Sequence, residues 1–174
     1  MVKMSSLVLA AALLSMPAMA ADRDAAAFNS VAGEWNGPGE IIAGKYKGTK
    51  FTCNLKGVVP DGKAAMSLDG ACRVGVFTQE MSAKVERRGN SYKGAFLDGA
   101  AGKGLDIISG NVDGNRMVFG INRKDLRGAM LAKMNGADQM NVTISVRVNS
   151  DLVPVIGMNL KRIDGTATGS IARN

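Results

Sequence analysis

The chain has 174 residues, with 22 Lys and Arg against 15 Asp and Glu, two cysteines and no histidine. The missing histidine removes the commonest general base, the Ser-His-Asp triad and most zinc sites. A formal charge of +7 and a pI near 9.7 favour anionic partners such as membrane surfaces, or serve solubility alone, while 5% aromatic residues leave few platforms for stacking bases, so nucleic acid is not an expected partner.

Met1 and Lys3 are followed by a short apolar run and by Ala18-Met19-Ala20, the pattern of a secretory signal peptide over residues 1–20. The expectation is a periplasmic or secreted protein that begins near Ala21, keeps about 154 residues and carries a charge of +6 after the loss of Lys3. No later run approaches 18 apolar residues, so no transmembrane helix is expected after cleavage. Residues 21–30 are polar and Ala-rich and read as a free N-terminal arm, and residues 31–174 as one β-barrel domain.

After an opening strand over 33–42, two alternating runs flank the turn signal Pro60-Asp61-Gly62-Lys63. A hairpin symmetric about Gly62-Lys63 places Cys53 opposite Cys72, Lys56 opposite Asp69 and Phe51 opposite Val74. One face then collects Phe51, Cys53, Leu55, Val59, Met66, Leu68, Cys72 and Val74, and the other face is polar. A slip of one residue would scramble both faces, so the register and a Cys53–Cys72 disulfide support each other.

The same period continues. Phe77, Met81, Ala83 and Val85 alternate with polar residues, Gly89-Asn90 turns the chain, and Lys93 returns opposite Glu86. Strands follow over 105–112 and 117–121, joined by Asp113-Gly114-Asn115. Later, Met140, Val142, Ile144, Val146 and Val148 alternate with Asn141, Thr143, Ser145, Arg147 and Asn149, and a closing run over 153–163 puts Ile156, Met158, Leu160 and Arg162 on one side. Between them, Leu126, Met130, Leu131 and Met134 fall at helical spacing, with Asn122 as N-cap and Asn135-Gly136 as a stop. This predicts a short helix over 123–134 whose Lys124, Leu126, Arg127, Met130, Lys133 and Met134 form either a basic lid over the barrel or an anionic-surface contact, or simply pack the barrel end. Eight or nine strands joined mostly by short turns, with 22 glycines, predict an all-β, antiparallel up-and-down barrel with one short helix, a two-sheet sandwich being the alternative.

Gly33-Glu34-Trp35 at the head of the first strand resembles the G-x-W signature of lipocalins and the wider calycin group. That resemblance implies a barrel-end pair between Trp35 and a cation late in the last strand, where Arg162 stands, and a small hydrophobic ligand. The chain differs from lipocalins in its hairpin disulfide and in a helix placed before the last strands. It is also similar in kind to bacterial periplasmic metalloprotease inhibitors, small barrels with one disulfide that act through an N-terminal segment.

No catalytic residues, metal or cofactor are expected. The acidic residues Asp98, Asp106 and Asp113 stand mostly in turn signals, and residues 99–104 lack the spacing of a phosphate loop. A polar outer hairpin face and missing aromatic girdles argue against an outer-membrane barrel. The expected function is a non-enzymatic binding module for a small apolar or amphiphilic ligand, with a protein-interaction module, such as a protease inhibitor or envelope accessory protein, as the alternative.

Overall fold

A computed structural model of the chain describes residues 18–97 and 104–163. Most of the expected leader, residues 1–17, lies outside the described residues, as do Asp98, most of the glycine-rich loop and the last eleven residues. The chain opens with α1 (Ala18–Asn29) and continues through ten strands: β1 (Gly33–Ile41), β2 (Lys50–Val58), β3 (Ala65–Val74), β4 (Phe77–Arg88), β5 (Ser91–Leu97), β6 (Leu105–Asp113), β7 (Arg116–Arg123), β8 (Leu126–Met134), β9 (Gln139–Val148) and β10 (Asp151–Arg162). Each strand pairs antiparallel with the next, and β1 pairs with β10 to close the barrel. The fold is therefore the expected all-β antiparallel barrel, with ten strands in place of eight or nine.

The period-2 pattern is what closes it. Along β2 the burial alternates strictly from Thr52 to Val58, with Cys53, Leu55 and Gly57 inside and Asn54 and Lys56 in water. Cys53 lies opposite Cys72 and Lys56 opposite Asp69, and the two cysteines form a disulfide. Glu86 faces Lys93 across β4 and β5. The buried inward positions of the strands are apolar and many outward ones polar. No described helix is long and apolar enough to cross a membrane. Several glycines mark where backbones come too close for a side chain; a Cβ on Gly57, for example, would strike the Val31 carbonyl, and one on Gly128 would strike that of Ser145.

Two expectations are corrected. The segment 123–134 is not a helix but the end of β7, a turn and β8, with Lys124 at the turn in a left-handed conformation (φ 52°). Leu126, Met130 and Met134 are four residues apart, a spacing that suits a helix but is also even, so in a strand the same residues share one face. Ladders to β7 and β9 decide between the two. Lys124, Leu126, Arg127, Met130, Lys133 and Met134 consequently form no lid: Met130 and Met134 are buried in the barrel, Lys133 stands exposed near one barrel end, and Lys124, Leu126 and Arg127 stand at the other. The one helix among the described residues is instead α1, so most of the segment expected to be a free arm is ordered and packed, with Phe28 wholly buried.

Candidate functional site

The two ends of the barrel differ in chemistry. The end formed by the start of β1, the β2–β3 turn and the end of β10 is closed. Trp35, 1% exposed, lies opposite Arg162, whose guanidinium sits 4.3 Å from the centre of the indole ring. The indole Nε1–H donates to the Val31 carbonyl at 2.9 Å, and Arg162 donates to the carbonyls of Ser30 (2.8 Å), Ala137 (3.0 Å) and Ala32. The bonds to Ser30, Val31 and Ala32 satisfy carbonyls where α1 hands over to β1, which lack helical partners, and the bond to Ala137 ties the β8–β9 connection to the same end. α1 itself plugs this end: Phe28 meets the rings of Tyr92 and Phe119, each at 6.4 Å between centroids.

A buried polar cluster fastens the plug. Asp24, 4% exposed, accepts a charge-assisted bond from Arg87 at 2.7 Å and another from the Tyr92 hydroxyl. Burial first, then the bond to Asp24 and its charge, push the Tyr92 phenol up to about 12, with Arg87 pulling the other way. Among the described residues, no group of three or more His, Cys, Asp or Glu gathers as metal ligands would.

Among the described residues the opposite end is built from the β1–β2, β3–β4, β7–β8 and β9–β10 connections. Here apolar side chains recur on the inward rows after they cease to be buried, interrupted by Gln79 on β4 and joined by Arg123 at the end of β7. On β4, Val85 and Ala83 are 2% and 7% exposed and Met81 is half-buried, while Phe77 on the same face is 76% exposed. On β8 the row Met134, Ala132, Met130 is buried and ends at Leu126, 41% exposed. On β9 the row Met140, Val142, Ile144 is buried and ends at Val148, 50% exposed. On β8 and β9, apolar side chains thus run on the inward face from the closed floor to solvent.

The sequence-read residues are therefore divided between the ends. Trp35 and Arg162 come together at the closed end, and Cys53–Cys72 staples the β2–β3 wall. The lid residues separate along β8. Phe77 and Val148, both part of the alternating pattern, belong to the rim, a role the pattern carried in its persistence to the hairpin tips. Asp24, Arg87 and Tyr92 as a cluster had no local signal, since their partners lie 63 and 68 residues apart.

The closed antiparallel barrel, with Trp35 against Arg162 at one end, is consistent with a calycin-like fold. The structure is similar to the crystal structure of Rv2717c from M. tuberculosis (TM-score 0.60, 14% identity, covering 80% of this chain and 97% of that one). It is also similar to a variant of the fluorescent protein UnaG, a calycin of the fatty-acid-binding-protein type (TM-score 0.50, 13% identity, 77% and 96% covered). No protein-family model and no curated protein sequence matches the chain.

Proposed function

We propose that the protein is an exported, non-enzymatic binding module that takes a small apolar or amphiphilic molecule into the open end of its barrel. The observation that carries this reading is the exposure of Phe77, Leu126 and Val148 at the rim ends of inward rows whose deeper residues are buried. Leaving such side chains in water costs roughly 1.5–3 kcal/mol each relative to burial, which a ligand's apolar part recovers. Calycin-like architecture is compatible with this role. Burial of Phe28 and Asp24 of α1 in the barrel end speaks against one form of the alternative, a protease inhibitor that acts through a free N-terminal arm.

The test is titration with the neutral fluorophore N-phenylnaphthylamine in vesicle-free solution. The wild type should enhance its emission with saturable binding, and Phe77→Ser or Leu126→Ser should weaken affinity about tenfold or more. A wild type that leaves the probe dark, or rim variants that bind as tightly as wild type, would overturn the reading. Native mass spectrometry of protein purified from its own host then gives the mass of the occupant.

A further inference from the structure

Outside the mouth, the same end carries a second set of side chains that the barrel lining does not explain. Tyr46, Val76 and Leu152 occupy three different hairpins and are 63%, 89% and 47% exposed. The four connections described at this end (41–50, 73–78, 122–127 and 147–152) hold eight Lys or Arg and only two acidic residues. Apolar tips interleaved with cations are thus gathered on one end of the molecule.

One juxtaposition is specific. Gly128 pairs with Val146, so the next step of that antiparallel register sets Arg127 of β8 opposite Arg147 of β9, both exposed on the outer wall. Leu152 of β10 pairs with Arg147 on its other side. Two like charges facing across a ladder are unfavourable by themselves, and an anion between them reverses the sign. Both arginines also line a shallow outer groove of about 940 Å³ that includes Ile108 and Leu152. They stand two or three residues below the turns, about 7–10 Å at strand rise, which is the depth of a headgroup layer when the tips enter a bilayer.

We propose that the open end docks on an anionic lipid surface, the hairpin tips entering the interface while Arg127 and Arg147 hold lipid phosphate. A bilayer fits better than an acidic protein or polysaccharide because exposed Tyr46, Val76 and Leu152 accompany the charge, and a polyanion gives those apolar groups nothing to bury against. Docking of this kind brings the mouth to a surface where amphiphiles reside, but it does not depend on the mouth being occupied.

The test is flotation of the protein with phosphatidylglycerol–phosphatidylcholine vesicles and with phosphatidylcholine vesicles. Binding should require the anionic lipid and weaken steeply with salt. With each cation near such a surface contributing about fivefold, the double variant Arg127→Gln, Arg147→Gln should lose at least about twentyfold in affinity. Tyr46→Ser with Val76→Ser should weaken binding and leave more of the residue salt-sensitive, whereas Lys63→Gln with Lys133→Gln at the closed end should change it by less than about threefold. Equal binding to neutral vesicles, no binding at all, an equal loss on substitution at the closed end, or salt-sensitive retention on heparin without flotation would each overturn the proposal. Because the fluorophore titration is run without vesicles, loss of flotation with intact probe binding rejects the docking alone, and the converse rejects the ligand reading alone.

Discussion

Arg162 performs two tasks with one guanidinium: its face covers the Trp35 ring, and its edge donates to three carbonyls from two different segments. A lysine could provide the charge but not the fork, since its ammonium is a point donor on a flexible stem. Cation–π contacts contribute about 0.5–2 kcal/mol and bonds from a charged donor about 1.5–3. Arg162→Ala should therefore lower stability by about 2–4 kcal/mol. Trp35 is the only tryptophan in the chain, so its emission reports this site alone. The variant should shift that emission to the red as water reaches a ring now 1% exposed, with far-UV dichroism retained. Arg162→Lys should fall between the two. An unshifted spectrum in Arg162→Ala would mean that α1, rather than the arginine, shields the indole.

At the level of elements, α1 is held by an apolar contact and a buried ionic one, and the second makes its docking sensitive to alkali. The Tyr92 phenol is pushed from 10.0 up to about 12 in the folded protein. Between those values the unfolded chain has released its proton and the folded chain has kept it, so the unfolded state binds fewer protons and stability falls as pH rises. The contribution is fully present below about pH 10 and is lost progressively toward pH 12. Tyr92→Phe should be less stable than wild type at neutral pH by about 1.5–3 kcal/mol, the loss of a bond to a charged acceptor, and the gap should close over that window in urea titrations. A gap independent of pH would remove the phenol–Asp24 bond from the account. These same elements show what the sequence could disclose. The β2–β3 and β4–β5 registers were legible because each strand alternates and each turn carries its own signal, so local pattern and tertiary pairing agree. β8 was not, because spacings of four satisfy both periods and Gly128, Ala129 and Ala132 are too small to mark a face. α1 was hidden differently: most of its residues are alanine or polar, and the partners that hold it, Arg87, Tyr92 and Phe119, come from β4, β5 and β7. The rim was half legible, since the rows were visible but not the point at which burial ends.

Over the whole molecule, these features add up to a gradient from a floor sealed by α1, Trp35 and Arg162 to a rim of exposed apolar side chains. Binding at the rim requires side chains that can rearrange, and local opening should be easiest where buried contacts are fewest. The disulfide limits that looseness on one wall. Cys53 and Cys72 lie three and two residues from the rim ends of β2 and β3, so the bridge clips the hairpin close to its open end while Leu55, Gly57 and Met66 anchor it near the floor. With 19 residues of separation the bridge contributes on the order of 3 kcal/mol in the chain-entropy account, and Cys53→Ala should cost about 2–5 kcal/mol. The distribution of that loss tests the gradient. Amide hydrogen exchange of Cys53→Ala should quicken most at the rim ends of β2 and β3, residues 50–54 and 71–74, and least around Gly57, Val85 and Tyr92 beside the plug. An equal quickening at both ends, beyond the change in global stability, would mean that the barrel opens as one unit and that its rim has no mobility of its own to offer a ligand.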